Sequence, residues 1–159
     1  MGLFDWLNHQ QTGGDAGPLE AVAATEEGQG AMLGGLNFMT AIDYHMRWKS
    51  RLESYIHGNS NEDLRVDTIC RDDQCQLGQW IYGAGNEQFA SIDTFGEMKA
   101  QHAQFHVCAG KVLSVARLGR KEESLRMLQQ GDYVRASERV KMLLAKLYVQ
   151  IAEKTVARP

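Results

Sequence analysis

The sequence predicts an all-α fold: an antiparallel four-helix bundle with a short extra helix that carries a cysteine. Only two prolines occur, Pro18 and Pro159, so the long stretch between them contains no proline to break a helix. From Leu36 onward, apolar side chains recur at steps of three and four residues, the period of an amphipathic helix. No strand-like alternation competes with this pattern, and a bundle buries several such helices against one another.

The composition fits one domain and argues against several classes of function. The 159 residues and the hydrophobic fraction of 43% are enough for one core. A net charge of -3, with both signs interspersed, gives no basic patch, so we expect no nucleic-acid partner. No apolar run approaches the roughly 18 residues of a membrane span, and the N-terminus lacks the basic region of a secretory signal. Three cysteines suggest reduced thiols, and therefore a cytoplasmic protein.

The chain divides into a leader, residues 1–35, and a body, residues 36–157. Residues 8–35 are rich in glycine, alanine, glutamine, glutamate and threonine, which predicts a linker with a short helix near residues 19–27. An apolar tip precedes the linker, formed by Leu3, Phe4, Trp6 and Leu7. It either docks onto a partner or a membrane, or packs onto the body without a role of its own. A single helical turn of sequence does not decide between these interpretations.

Two helices are predicted in the first half of the body. The first carries one apolar stripe and ends at the segment 58–63, which is rich in glycine and asparagine. Its stripe consists of Phe38, Ala41, Ile42, His45, Trp48, Leu52 and Ile56. A short helix follows, with Asp72 or Asp73 as its N-cap and Cys75 near its start. The segment 83–86 is expected to break it.

The second half of the body predicts two longer helical stretches. One runs from about Asp93 to Leu118 and ends at Gly119. Its inward stripe consists of Phe95, Met98, His102, Phe105, His106, Ala109, Leu113 and Ala116. The other runs from Lys121 to about Thr155, with a break or kink at Gly131.

Three histidines on these stripes occupy positions that ought to belong to the core. A lone histidine on an apolar face is usually a core residue that hydrogen-bonds to a carbonyl. His102 and His106, however, are four residues apart on one helix, so their side chains project from the same face and can share a ligand. His45 adds an imidazole from another helix, and Cys75 adds a thiol at the start of a third.

Those four side chains suit a zinc ion. Zinc favours four-coordinate sites of imidazole and thiolate, whereas magnesium and calcium prefer oxygen. We therefore predict a zinc site formed by His45, Cys75, His102 and His106. Ligands from three helices would couple zinc binding to the stability of the bundle, and zinc affinity should fall as the pH falls.

The most specific motif is the segment around Cys75, which reads CQLGQW over residues 75–80. Gly78 permits a close approach of backbone, and Trp80 buries a large apolar surface. With one upstream histidine and a downstream His-x-x-x-His pair, this motif resembles the chemoreceptor zinc-binding domain, a family that bacteria attach to chemoreceptors and diguanylate cyclases. The segment AIDYHMRWKSRL around His45 also looks like that family's first helix. The resemblance covers about residues 36–155.

The resemblance implies a four-helix bundle with a three-histidine, one-cysteine zinc site and a regulatory, non-enzymatic role. It further implies a homodimer that signals to a partner, such as a chemoreceptor or a diguanylate cyclase. In the family, zinc occupancy and oxidation of the bound cysteine by hypochlorous acid are both linked to signalling. The sequence departs from the family in lacking an output domain, which suggests either a stand-alone member that acts through another protein or a fragment of a longer chain.

Three alternatives remain open at this point. A hemerythrin-like di-iron protein would need carboxylate ligands on the inward stripes, where the sequence has none, and thiolate is foreign to such a site. A hydrolytic zinc enzyme would need an open coordination position and a general base. A bundle in which zinc only stabilises the fold would have the same ligands. Cys70 is either a resolving thiol for Cys75 or a plain thiol, and we expect Cys108 to serve packing.

Overall fold

The computed structural model describes residues 32–157. The apolar tip and the helix predicted near residues 19–27 therefore lie outside the described residues. The described part begins with a hairpin of β1 (Met32–Leu33) and β2 (Leu36–Asn37), paired antiparallel with Leu33 opposite Leu36. Gly34 and Gly35 form its turn at φ values of 57° and 80°, which glycine adopts without strain. This hairpin begins within the range that the sequence analysis assigned to the leader.

Seven helices follow within residues 32–157. They are α1 (Phe38–Ile56), α2 (Val66–Ile69), α3 (Gln76–Tyr82), α4 (Ala84–Phe89), α5 (Asp93–Arg117), α6 (Lys121–Gln130) and α7 (Asp132–Val156). Each of α1, α5, α6 and α7 contacts the other three, so these four form the bundle. The predicted all-α bundle is confirmed, and α3 is the short extra helix that follows the cysteine.

Local sequence signals account for the helix boundaries. Asn37 caps α1, since its side-chain oxygen accepts a hydrogen bond from the Thr40 backbone N–H at 3.0 Å. Gly58 and Gly119, at φ values of 74° and 78°, follow the ends of α1 and α5. Gly131 separates α6 from α7, so the predicted break in the last helical stretch is confirmed.

The core lies between the inward stripes that the helical period predicts. In α1 the stripe of Phe38, Ala41, His45, Trp48 and Leu52 is buried. A cluster of aromatic rings ties the hairpin side of the bundle together, because Trp80 packs edge-on against both Phe38 and Phe95. The Trp80 indole N–H also donates to the Gly34 carbonyl at 2.7 Å. These contacts fix α3, and with it the start of the Cys75 segment, against α1 and α5.

No helix within residues 32–157 has a stretch both long enough and apolar enough to pass through a membrane.

Candidate metal centre

Three elements carry the four predicted ligands in the interior of the bundle. His102 and His106 lie one turn apart on α5, Cys75 immediately precedes α3, and His45 lies on the inward face of α1. All four are buried, with His102 and His106 fully enclosed. Buried polar groups need partners, so four such side chains together in an apolar core require an explanation.

Three of the four ligand atoms face one another directly. The Cys75 Sγ lies 3.3 Å from His102 Nε2 and 3.6 Å from His106 Nε2, and the two Nε2 atoms are 3.2 Å apart. With typical Zn–N and Zn–S bonds of about 2.0 and 2.3 Å, tetrahedral ligand atoms lie roughly 3.3 to 3.6 Å apart. The observed separations are close to these ligand–ligand distances, so Cys75, His102 and His106 are positioned to hold a metal ion.

A backbone contact fixes the orientation of His106. Its Nδ1 lies 2.8 Å from the Ile69 carbonyl oxygen, which can only accept a hydrogen bond. The Nδ1 atom must therefore carry the proton, which leaves the lone pair of Nε2 directed at Cys75 and His102. Orientation of a ligand histidine by a carbonyl is typical of metal sites. The short helix α2, which ends at Ile69, supplies this contact.

His45 lies beside this cluster of three ligand atoms. Its ring centroid is 5.3 Å from that of His102 and 4.6 Å from that of Phe105. Its Nδ1 is 3.3 Å from the Ala41 carbonyl oxygen, so Nδ1 carries the proton and Nε2 the lone pair. That Nε2 is buried and has no hydrogen-bond partner among the described residues, and the same is true of His102 Nδ1. His45 is thus a neighbour of the cluster, whereas the ligand atoms that lie within 4.8 Å of one another belong to Cys75, His102 and His106 alone.

The start of α3 places the cysteine, and here the sequence prediction was wrong in detail. The N-cap is Cys75 itself, whose Sγ accepts a hydrogen bond from the Gly78 N–H at 3.3 Å, instead of Asp72 or Asp73. Asp72 accepts a hydrogen bond from the Tyr82 hydroxyl at 2.7 Å, and Asp73 pairs with Arg71. Both carboxylates therefore bind other side chains, and the Cys75 sulfur caps α3 instead.

Gly78 permits this arrangement by its lack of a side chain. A Cβ on Gly78 would lie 1.7 Å from the Asp72 carbonyl oxygen, a distance that no structure tolerates. The loop before Cys75 thus passes directly over α3, as the sequence analysis expected for a close backbone approach. This contact holds the cysteine sulfur at the histidine pair.

Residues 45–113 match the family model of the chemoreceptor zinc-binding domain. Residues 45–113 belong to this family. The matched segment begins at His45 and ends at Leu113, so it includes all four predicted ligands. Comparison with curated proteins and with solved structures gives no match. Domains of this family bind zinc, which agrees with the thiol and imidazole donors found in the structure.

Burial sets the protonation of the four side chains in this chemoreceptor zinc-binding domain. It raises the pKa of the Cys75 thiol to about 12, an effect that the N–H groups of Gly78 and Leu77 partly oppose. It lowers the pKa of His45 to about 3, and burial likewise lowers the pKa values of His102 and His106. In the absence of a metal, the site therefore holds a neutral thiol and three neutral imidazoles at pH 7. A divalent cation would favour the thiolate.

The remaining cysteines of the zinc-binding domain lie apart from the three-atom cluster. Cys70 is exposed, and its Sγ packs against Gly110, where an added Cβ would lie only 2.2 Å away. Cys108 is buried in the core, and the Gln104 side-chain amide donates to its sulfur at 3.5 Å. The structure thus gives Cys108 the packing role that the sequence analysis expected.

Sequence reasoning missed two features of the site. The Ile69 carbonyl orients His106, but a backbone oxygen leaves no signature in a side-chain pattern. The ring of Phe105 packs against the rings of both His45 and His106. Its place on the inward stripe of α5 identified it as a core residue, but nothing in the periodicity showed which rings it would touch.

Proposed function

We propose that this domain binds one zinc ion through His45, Cys75, His102 and His106 and acts as a sensory module that spans the predicted body, residues 36–157. The observation that carries the proposal is the convergence of the Cys75, His102 and His106 donor atoms. His45 is added as the fourth ligand because its buried ring lies against that of His102 and its Nε2 has no hydrogen-bond partner among the described residues. Zinc supplies a Lewis-acidic centre that keeps the thiol ionised at neutral pH.

A closed set of four protein ligands argues against catalysis at the zinc. A hydrolytic zinc site keeps one position open for water, whereas four protein ligands fill the tetrahedral shell. The cluster of Cys75, His102 and His106 contains no carboxylate, which argues against a di-iron site. These observations support the expectation of a non-enzymatic domain.

The sensory role is supported by where the ligands lie in the fold. One ligand comes from α1, one from the start of α3 and two from α5, and α2 orients one of them. Removal of the zinc, or oxidation of its Cys75 ligand by hypochlorous acid, would break metal–ligand bonds that hold these elements together. We propose that a chemoreceptor or a diguanylate cyclase reads this change.

The ligand set is tested by metal analysis of purified variants. We expect about one zinc per chain in the wild type and less in His45→Ala, Cys75→Ala and His102→Ala. Cys108→Ala is the matched control, since it removes a buried thiol outside the cluster and should keep its zinc. Full zinc content in His45→Ala would limit the site to three protein ligands.

The sensory role is tested by hydrogen exchange with and without zinc. We expect the zinc-free chain to remain folded, with faster exchange confined to α1, α2 and α3. Global unfolding on zinc removal would show that the zinc serves stability alone.

We further propose that the chain forms a homodimer through α7, in keeping with a family whose domains generally dimerise. An outward stripe on α7 follows alternating steps of three and four residues, the spacing of a helix–helix seam. It consists of Met142, Ala145, Val149, Ala152 and Val156, and its three larger members are each more than half exposed. Val149→Glu should shift the sedimentation coefficient toward the monomer. Leu118→Glu, an exposed apolar position at the end of α5, should leave it unchanged.

A further inference from the structure

A cavity reaches the candidate metal centre from the side of α1 and α3. Its volume is about 30 Å³, and its inner wall includes the two buried ligands His45 and Cys75. Its outer wall is polar, formed by Tyr44, Arg47 and Gln76. Cys75 has only 5% of its surface exposed, so a reagent can approach its sulfur only through such a space.

A second, wider groove of about 500 Å³ adjoins this cavity. It lies between the second half of α1 and the segment 59–62, and it shares Arg47 and Arg51 with the inner cavity. The side chains of Arg47 and Arg51 are therefore walls that the two spaces have in common.

Arg51 is held in place where the two spaces share a wall. Its guanidinium lies 4.7 Å from the Trp48 ring centroid, and its Nε donates to the Glu62 carboxylate at 3.2 Å. A second contact from Nη2 to the same carboxylate makes the pair bidentate. The Arg51 side chain is only 15% exposed, so the pair is shielded more than an ordinary surface ion pair. These contacts thus fix the position of the Arg51 side chain.

We propose that the two spaces connect past Arg51, that the route so formed admits small oxidants to Cys75 and excludes larger ones, and that Arg51 and Glu62 set the size limit. A water molecule needs roughly 10–15 Å³ of such volume, so a cavity of this size accepts a molecule of two or three non-hydrogen atoms. The oxidant class is X–OH, a hydroperoxide or a hypohalous acid. This inference refines the proposed oxidation sensing and depends on it for its biological role.

The reaction at the end of the route is a two-electron oxidation of sulfur. With a hydroperoxide RO–OH, the Cys75 thiolate attacks the terminal oxygen, the O–O bond breaks, and the products are a sulfenic acid and RO⁻, which takes a proton from water. With a hypohalous acid, the thiolate attacks the halogen and hydroxide leaves; water then displaces the halogen as halide and gives the same sulfenic acid. In both cases sulfur loses two electrons and the oxidant gains them, and water is the only other reactant.

The test compares two hydroperoxides of the same chemistry and different size. A Cys70→Ser/Cys108→Ser chain, which keeps Cys75 as its sole thiol, is treated with hydrogen peroxide or cumene hydroperoxide. The sulfenic acid is trapped and measured by mass spectrometry, and zinc release is a second readout. Relative to a free cysteine derivative, we expect the ratio of the two rates to favour hydrogen peroxide by about tenfold. A ratio equal to that of the free thiol would overturn the proposal.

Variants on the proposed route and in the inner cavity test which residues cause the discrimination between oxidants by size. Glu62→Ala, which releases Arg51, should lower the rate ratio toward that of the free thiol. Asp67→Ala is the matched control, because it removes an exposed arginine–carboxylate pair away from the route and should leave the ratio unchanged. Ala41→Val, which fills the inner cavity, should slow both reagents while zinc is retained. An unchanged rate in a zinc-replete Ala41→Val chain would show that the route lies elsewhere.

These results separate the access route from the zinc function. Absence of zinc in the wild type would contradict the proposed function, yet the rate ratio at Cys75 can still be measured in the metal-free chain. Zinc binding with no size selection would contradict the access route alone.

Discussion

Replacing Gly78 by alanine tests how the close backbone approach positions the cysteine. The new Cβ would lie 1.7 Å from the Asp72 carbonyl oxygen and 2.8 Å from its carbonyl carbon. Both are backbone atoms, so no side-chain rotation can relieve the clash, and the loop must move away from α3. Overpacking of this kind costs about 2–3 kcal/mol, which lowers the melting temperature of a domain of this size by about 5–10 °C.

The displacement should also weaken zinc binding. Cys75 caps α3 through the Gly78 N–H, so a shift of this loop carries the sulfur away from His102 and His106. Loss of a residue that orients a metal ligand typically lowers affinity about 10–100-fold. Gly96→Ala is the matched control, because a Cβ there meets nothing within 4 Å. Alanine in that helical position should stabilise the chain by about 0.5–1 kcal/mol.

Thermal and urea unfolding measure the stability of both variants, and competition with a coloured chelator measures their zinc affinity. The reasoning is refuted if Gly78→Ala unfolds at the same temperature as Gly96→Ala and binds zinc as tightly. A destabilised Gly78→Ala with unchanged zinc affinity would refute only the link between the loop and the metal ligand.

Three further predictions follow from the buried polar groups. Because burial lowers the pKa of His45 to about 3, the unfolded chain binds more protons than the folded chain below about pH 6.5. The zinc-free domain should therefore lose stability as the pH falls from that value, by up to about 1.4 kcal/mol per pH unit for each such histidine, as measured by urea titrations at several pH values. Because the pKa of Cys75 is raised to about 12 and the imidazoles are neutral, zinc binding at pH 7 should release about one proton, as measured by calorimetry in buffers of different ionisation enthalpy; release of none would contradict a thiolate ligand. The hydroxyl of Tyr133 is buried without a partner among the described residues, so Tyr133→Phe should leave stability unchanged or raise it by about 1–2 kcal/mol, and a loss of that size in urea unfolding would reveal a hidden hydrogen bond.

The long helices could be predicted from the sequence because two independent signals agree in them. The apolar stripe of α1 and the glycine after its end delimit the same segment, and α5 runs from Asp93 to a glycine in the same way. The helices α2 and α4 were missed, since four and six residues are too few to display a helical period. Gly83, predicted only as a break, ends α3 and starts α4.

The candidate site could be predicted as far as its side chains stand out from their surroundings. Histidines on an apolar stripe and a cysteine shortly before a glycine can be recognised in the amino-acid sequence. The structure brings Cys75, His102 and His106 together. The N-cap of α3 was assigned wrongly because aspartate is the commoner capping residue, and the competing contacts of Asp72 and Asp73 are tertiary. The ion pair of Arg51 with Glu62 joins positions eleven residues apart through a loop, which no periodicity describes.

X-ray absorption at the zinc edge tests the ligand set most directly, because it counts the atoms bound to the metal and measures their distances. For the purified wild-type chain, we predict three nitrogen neighbours at about 2.0–2.1 Å and one sulfur at about 2.3 Å, with the sulfur lost in Cys75→Ala. Two or more sulfur neighbours would mean that Cys70 or Cys108 binds the metal. A shell of nitrogen and oxygen alone, or a chain that takes up no zinc, would contradict the proposed site of His45, Cys75, His102 and His106.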